Sequence, residues 1–490
     1  MDHSQHNGLI SFIWGIADDV LRDIYVRGKY RDVILPMAVI RRIDVLLEPS
    51  KEAVLKMKAQ LDKAKVTNQE AALRKISGYG FYNTSQFTLR RLLDNPKQLR
   101  ANFLDYLDGF SANVGEIVAK FAFRNQVDKL HESDVLGQLI EKFLSPDINL
   151  SPNPVLNGDG SVKHPGLSNL GMGYAFEELI RKFNEENNEE AGEHFTPREI
   201  VRLMTCLLFL PIKDKITSGT YTVYDCACGS GGMLTESDTM VHELAAKHGK
   251  EVSIHLYGQE SQPETFAICK ADLLIKGEEE KNIAFGSTLS QDAFPRLQFD
   301  FMLANSPFGK SWKTDLERLC AGEKSEMRDS RFVVQHGDKS DFSLVTRSSD
   351  GQLMFLVNML AKMKSDTPLG NQNELPEGDN GAGSESVVLD ISSQPQHQRA
   401  RLDRTCFAYG LRLTFNFVSR ASSTSLNLNL IVRPIRRWGS RPLARQASTV
   451  RSVTWNHAAA SAVVRSLCSG GISPGPTCCC GGLSPGNART

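Results

Sequence analysis

Tyr-Thr-Val-Tyr-Asp-Cys-Ala-Cys-Gly-Ser-Gly-Gly, residues 221–232, joins an apolar strand pattern to a glycine-rich loop. The residues that follow, to about 248, have the pattern of a helix. Beyond them a strand is predicted at 252–257, a helix at 263–275, and further strands at 283–285 and 299–304. Strands that alternate with helices predict an α/β fold, a doubly wound, mostly parallel Rossmann-like sheet.

A helical region is predicted ahead of this sheet. Ile10, Ile13 and Ala17 recur at helical spacing, and similar amphipathic stretches continue to about residue 150. Pro, Asn, Gly and Ser then dominate, which is typical of a linker. We therefore expect the following organisation: a helical N-terminal domain at 8–150, a linker at 151–170, an incomplete sheet domain at 171–364, and a low-complexity tail rich in Arg, Ser and Gly at 365–490.

The charge distribution changes sharply along the 490 residues. The whole chain holds 57 basic and 57 acidic side chains, but the stretch from Arg404 to Thr490 has 11 Arg and no Lys, Asp or Glu. We expect this C-terminal segment to be irregular or disordered. Its composition favours translation of a shifted or foreign reading frame, and an Arg-rich tail that binds nucleic acid is the alternative.

The ten Cys residues follow neither a disulfide nor a zinc-ligand pattern, since Cys478, Cys479 and Cys480 are adjacent. We predict no metal site and a reducing, cytoplasmic location. The first residues lack the pattern of a secretion signal, and no apolar run reaches membrane-spanning length.

The glycine loop after the first strand is a candidate ligand site. Glycines let the backbone turn tightly and approach a ligand, and the next helix points its N-terminus at that ligand. A dinucleotide fingerprint needs a third glycine, where Leu234 stands instead. The loop suits a ligand with an amino-acid end, and S-adenosyl-L-methionine fits; a glycine turn that binds nothing is the alternative. The candidate cofactor-binding residues here are Asp225, Ala227, Gly229, Ser230, Gly231 and Gly232.

Two further segments are candidates for the same ligand. Glu260, just past the second strand, could accept hydrogen bonds from both ribose hydroxyls, although a solvated glutamate is common there. Thr196 and Pro197 predict a helix start, with Thr196 as the N-cap. Phe195 and Thr196 could also cover the methionine part of the cofactor. Asp272, inside the following helix, is predicted to be a surface residue.

Asn305, Ser306, Pro307 and Phe308 follow the last predicted strand and are the candidate catalytic residues. The amine of adenine is a poor nucleophile because its lone pair is delocalised into the ring. An amide oxygen and a backbone carbonyl that accept from this amine would free the lone pair, while an aromatic ring stacks on the base. An ordinary turn is the other interpretation of these four residues.

These segments occur in an order that resembles the modification (methyltransferase) subunit of type I restriction-modification systems. The resemblance rests on His194-Phe-Thr-Pro-Arg-Glu, the glycine loop, Tyr257-Gly-Gln-Glu260, Asn305-Ser-Pro-Phe-Gly-Lys-Ser-Trp312 and the N-terminal stretch Arg31-Asp-Val-Ile-Leu-Pro-Met37. The family's usual catalytic string is Asn-Pro-Pro-Phe or Asn-Pro-Pro-Tyr, so Ser306 is a departure.

The resemblance implies transfer of a methyl group from S-adenosyl-L-methionine to an adenine amine in double-stranded DNA. It also implies partners: a specificity subunit, a motor/nuclease restriction subunit and a second copy of the modification subunit. The family has further sheet strands after the region of residue 364, and we expect them to be missing or scrambled in this sequence. An inactive remnant or a binding-only subunit is therefore one alternative, and methylation of RNA or of a protein amide is another.

Overall fold

The computed structural model of the protein describes most of the first 364 residues and five strands beyond them. The described residues are 3–186, 196–307, 310–320, 329–336, 339–349, 351–364, 387–390, 404–408, 411–419, 425–434 and 453–456. The helices are α1 His3–Leu21, α2 Arg31–Leu47, α3 Lys51–Lys63, α4 Glu70–Ser77, α5 Leu89–Leu92, α6 Leu99–Asp108, α7 Ala112–Lys120, α8 Phe123–Glu132, α9 Leu136–Phe143, α10 Asn169–Glu186, α11 Arg198–Phe209, α12 Gly232–Lys247, α13 Pro263–Lys276, α14 Lys313–Leu319 and α15 Gly351–Ala361. The strands are β1 Val155–Leu156, β2 Val162–His164, β3 Gly219–Asp225, β4 Val252–Glu260, β5 Ile283–Phe285, β6 Phe301–Ala304, β7 Val333–His336, β8 Lys339–Ser343, β9 Val387–Asp390, β10 Arg404–Ala408, β11 Leu411–Ser419, β12 Ser425–Pro434 and β13 Val453–Asn456.

The central sheet has the strand order β5-β4-β3-β6-β9, and every pair of neighbours in it is parallel. The helices α12 and α13 connect successive strands, as the doubly wound pattern predicts. The prediction of a helical region followed by a mostly parallel α/β sheet is confirmed. Because β3, β4 and β6 run in the same direction, the residues after their carboxyl ends meet at one edge of the sheet.

Helix α13 lies between the helical region and the sheet. Its residues Ala271 and Leu274 pack in the core that α1, α2 and α6 to α10 share, whereas Phe266 and Leu273 pack in the core of the sheet. Both faces of α13 are therefore covered. The prediction that Asp272 lies on the surface is wrong for this reason: its side chain is buried and ion-paired with Lys276.

Residues 151–170 contain the antiparallel pair β1 and β2. Leu167 of this stretch is buried in the helical core. Leu150 is the residue just before the stretch, and its carbonyl accepts a hydrogen bond from the buried Arg42. The boundaries of the linker and of the domains on either side stay a prediction.

The segment predicted to be irregular contains the parallel strand β9 and an antiparallel sheet of β10, β11, β12 and β13. Its other residues lie outside the described part of the chain. Strand β12 follows from alternation, because an Asn separates Leu426 from Leu428 and another separates Leu428 from Leu430. Sequence reasoning missed this period of two because it gave more weight to the change in composition.

Among the described helices, none has the length and apolar character needed to cross a membrane.

Candidate active site

A cavity of about 250 Å³ lies at the carboxyl edge of the sheet. The predicted site residues that line it are Thr196, Asp225, Ala227, Gly229, Ser230, Gly232, Glu260, Asn305 and Pro307. Gly231 and Ser306 are neighbours of lining residues, and Phe195 and Phe308 lie outside the described residues. The structure thus brings the glycine loop, the acidic residue after the second strand and the Asn-Ser-Pro turn into one cavity.

The glycine loop is shaped by its close approach to two helices. Gly231 has φ +84° and is the N-cap of α12. A Cβ atom at this position would lie 2.8 Å from the Sγ atom of Cys269 on α13, so both the backbone conformation and the space require glycine. Asp225, the last residue of β3, is buried, and its Oδ1 accepts a hydrogen bond from the N–H of Ala227 at 3.0 Å.

Glu260 is the last residue of β4 rather than a residue beyond it. The strand is longer than predicted because its end pairs with β5, where Glu260 is opposite Phe285. One carboxylate oxygen of Glu260 accepts from the N–H of Gln262 at 2.7 Å and the other from the N–H of Gly229 at 2.9 Å. Burial raises the pKa of Glu260, and these backbone donors oppose the rise. A carboxylate has about four acceptor positions, so capacity for ligand hydroxyls remains.

Asn305 follows β6 directly, and its side chain points to a residue from another element. Its Nδ2 donates a hydrogen bond to Oγ1 of Thr196 at 2.8 Å. Ser306 is buried, with 2% of its surface exposed, and Pro307 lines the cavity. The loop therefore presents an amide and a rigid turn to the same space that the glycine loop borders.

The prediction that Thr196 is the N-cap of the next helix is wrong by one residue. Helix α11 begins at Arg198, and Pro197 is its N-cap without a side-chain hydrogen bond. The backbone carbonyl of Pro197 accepts the first hydrogen bonds of the helix, from the N–H groups of Ile200 and Val201 at 2.9 and 3.0 Å. The hydroxyl of Thr196 binds the amide of Asn305 instead.

Sequence reasoning missed several residues that line the cavity, among them Glu177, Arg31 and Lys310. Arg31 and Lys310 belong to stretches that carry the family resemblance, which was the available signal. Glu177 had no signal, because it lies within an amphipathic helix whose approach to the cavity depends on tertiary packing. Its carboxylate is 2.5 Å from Nη2 of Arg198. Burial raises the pKa of Glu177 to about 7, and Arg198 opposes the rise.

The cavity lining fits a nucleoside ligand that carries positive charge. The carboxylates of Asp225 and Glu260 border it, the cations Arg31 and Lys310 line it as well, and Glu177 is paired with Arg198; its apolar walls include Met233 and Ile268. The N-terminus of α12 borders it as well, which favours a ligand carboxylate. In the described part of the chain, no group of three or more His, Cys, Asp or Glu side chains is placed to hold a metal ion.

Comparison with protein families gives two matches. Residues 168–368 match the family profile "N-6 DNA Methylase", and residues 9–143 match the profile "HsdM N-terminal domain". Both matches agree with the modification subunits of type I restriction-modification systems, to which this chain is similar. The family resemblance proposed from the sequence motifs is confirmed.

The relatives of this modification-subunit homologue are methylase subunits of type I restriction enzymes. The chain is 26% identical over 328 residues to the MjaIX methylase subunit of Methanocaldococcus jannaschii, an alignment that covers 64% of this chain and 54% of the relative. It is 29% identical over 165 residues to the HindI methylase subunit of Haemophilus influenzae, covering 32% and 33%. The chain therefore spans about half of the first relative's length and about a third of the second's.

A solved structure of the methyltransferase subunit of a type I restriction-modification system from Streptococcus thermophilus also aligns with this chain. The alignment has 18% sequence identity and a TM-score of 0.49, and it covers 74% of this chain and 73% of that one.

Proposed function

We propose that this chain transfers a methyl group from S-adenosyl-L-methionine to the exocyclic amine of adenine in double-stranded DNA. The observation that carries the proposal is the cavity that Glu260, the glycine loop and Asn305 line together. A methyl transfer needs the donor and the acceptor in one water-excluding space with their reacting atoms aligned. Membership of the N-6 methylase family supports the same reaction.

The cofactor contacts follow from the cavity lining. S-adenosyl-L-methionine, when bound, supplies an electrophilic methyl group on a positively charged sulfonium. We assign the ribose hydroxyls to Glu260 and the ammonium of the amino-acid end to Asp225. The backbone N–H groups of Ser230 and Gly232 would receive the carboxylate. Those of Ala227, Gly229 and Gly231 already donate to Asp225, to Glu260 and to the carbonyl of Cys228, and they shape the loop around the ligand. Phe195 and the backbone of Thr196 would cover the methionine part.

The acceptor side of the reaction uses the turn after β6. With the adenine flipped out of the duplex, the Asn305 side-chain oxygen and the Ser306 carbonyl would accept hydrogen bonds from its amine. Pro307 keeps the turn rigid, and Phe308 would stack on the base. Holding the amine in this geometry localises its lone pair and aims it at the donor, which is where we expect most of the rate enhancement to arise.

We further propose that the chain works in the cytoplasm as part of an assembly. Its relatives carry names of methylase subunits of type I restriction enzymes. We expect a specificity subunit to recognise the DNA sequence, a motor/nuclease subunit to join for restriction, and a second copy of this chain to complete the complex.

The substitution Asn305→Ala tests the proposed role of the amide. We expect it to abolish methyl transfer, because the adenine amine loses its side-chain acceptor, while binding of S-adenosyl-L-methionine stays close to that of the wild type. The measurement is transfer of tritium from labelled cofactor to unmethylated DNA in the presence of the specificity subunit, with calorimetry for cofactor binding. The exposed Asn95→Ala is the matched control. Normal methylation by Asn305→Ala would refute the assignment.

An inactive remnant or a binding-only subunit is the alternative that the sequence left open because sheet strands were expected to be missing after residue 364; strand β9, in that region, does pair with β6. The same experiment separates the two. Cofactor binding without methylation by the wild-type chain would favour a binding-only subunit, and an aggregated chain that binds no cofactor would favour a remnant.

A further inference from the structure

The side-chain amide of Asn305 is held by a residue 109 positions earlier in the chain. Its Nδ2 lies 2.8 Å from Oγ1 of Thr196, and both side chains line the same cavity. The bond joins the turn after β6 to the residues just before α11. Within the described residues, no strand pairing joins these two segments.

The backbone around Thr196 is well suited to present its hydroxyl. The residue before a proline is restricted to extended conformations, and Pro197 itself has φ −55° and ψ 141°. The first turn of α11 takes its hydrogen bonds from the carbonyl of Pro197. Thr196 lies one residue before the N-cap, and its hydroxyl accepts the hydrogen bond from Asn305.

The chemistry of the amide makes this contact important for reaction. An asparagine side chain has a donor end, Nδ2, and an acceptor end, Oδ1, and its last torsion is broad and roughly two-fold. When Nδ2 faces Thr196, Oδ1 lies at the opposite end of the amide. That oxygen is the group expected to accept from the adenine amine. With the amide turned round, the hydroxyl of Thr196 would donate to Oδ1 instead, Nδ2 would face the adenine amine, and the hydrogen bond from that amine would be lost.

We propose that Thr196 is a positioning residue whose hydroxyl fixes the amide of Asn305 for recognition of the adenine amine. The inference rests on the proposed function and adds a role that differs from covering the cofactor. If the hydroxyl acts through Asn305, its removal weakens binding of the adenine moiety and leaves binding of the cofactor moiety unchanged. If the hydroxyl of Thr196 contacts the cofactor, its removal weakens binding of the adenine moiety and of the cofactor moiety together.

The test compares two ligands on the full chain by calorimetry. One is S-adenosylhomocysteine, which occupies only the cofactor side. The other is a bisubstrate analogue that joins the cofactor's 5′ end to the amine of adenine. We expect Thr196→Val, which is nearly isosteric, to bind the bisubstrate analogue about three- to tenfold more weakly, as expected for one lost neutral hydrogen bond, and S-adenosylhomocysteine as before. Thr196→Ser keeps the hydroxyl and should bind both ligands like the wild type.

A double substitution shows whether the effect passes through Asn305. In an Asn305→Ala background, Thr196→Val should cause no further loss of bisubstrate affinity. An equal loss in that background, or a parallel loss of S-adenosylhomocysteine affinity, overturns the inference but not the proposed function. A wild-type chain that binds neither ligand defeats the proposed function and, with it, this role. Thr196→Ala provides the same comparison if the valine variant does not fold.

Discussion

Glu177 and Glu178 are neighbours on α10, but their surroundings shift their acidities in opposite directions. Burial raises the pKa of Glu177 from its usual 4.5 to about 7 despite its pairing with Arg198. Glu178 is partly exposed, and a hydrogen bond from Arg181 lowers its pKa. The two residues therefore make opposite contributions to the pH dependence of stability.

We predict that the wild-type chain loses stability relative to Glu177→Gln as the pH rises from 4.5 to 7. The folded state holds the proton of Glu177 more tightly than the unfolded state does. The contribution of Glu177 to the free energy of unfolding is therefore fully present below its pKa in the unfolded state, and it is lost as the pH rises through its pKa in the folded state. The expected loss is on the order of 3 kcal/mol. The midpoint of thermal unfolding, measured for both proteins across this range, provides the check.

Glu178→Gln is the matched control for this measurement. Because the folded pKa of Glu178 is lowered, its contribution is present above the unfolded pKa and is lost only at more acid pH. The plot of the thermal unfolding midpoint against pH for Glu178→Gln should therefore run nearly parallel to that of the wild type between pH 5 and 8. Parallel curves for Glu177→Gln as well would show that burial of Glu177 has no such effect.

Single residues were predictable where they follow a strand. Asp225, Glu260 and Asn305 each end or follow a parallel strand, so their meeting at one edge of the sheet follows from the strand–helix alternation. Glu177 and Arg31 come from helices of the N-terminal half, and only tertiary packing brings them to the cavity. The same packing explains the wrong prediction for Asp272, whose helix is covered on both faces.

At the level of elements, the loop between β3 and α12 depends on the fit between Gly231 and Cys269. We predict that Gly231→Ala destabilises the fold by more than the roughly 1–2 kcal/mol expected for a left-handed residue alone. Its Cβ would also lie 2.8 Å from the sulfur of Cys269. Chemical denaturation measures the change in the free energy of unfolding, and we expect affinity for S-adenosylhomocysteine to fall too.

Gly249→Ala separates strain from crowding. Gly249 has φ +63° but nothing within 4 Å of an added Cβ, so its substitution should show strain only. Adding Cys269→Ala to Gly231→Ala should restore part of the lost stability by making room. Equal destabilisation by Gly231→Ala and Gly249→Ala would contradict the role of the contact.

The extents of the elements show what local sequence could not determine. The prediction for β5 agrees with the structure, and that for α13 ends one residue early. Strand β4 extends to Glu260 because it pairs with β5, a long-range contact that no local pattern encodes. The start of α11 was misplaced because threonine followed by proline suits an N-cap, whereas here the hydroxyl has a tertiary partner.

Across the whole molecule, the helical region and the sheet form one structural unit around the cavity. Helix α13 contributes to both cores, and Lys270 on it is 2.7 Å from Glu116 of α7. The start of α2 supplies Arg31 to the cavity wall. The N-terminal region therefore completes the site that the sheet begins, an arrangement that the order of motifs along the sequence did not indicate.

The central claim is that one cavity holds the methyl donor opposite Asn305. A crystal structure of the full chain with sinefungin, which carries an amine in place of the donor methyl group, tests it most directly. We predict that the ribose hydroxyls bind Glu260 and that the amine faces the side chain of Asn305. A nucleoside bound outside the cavity, or an amine directed away from Asn305, would contradict the account.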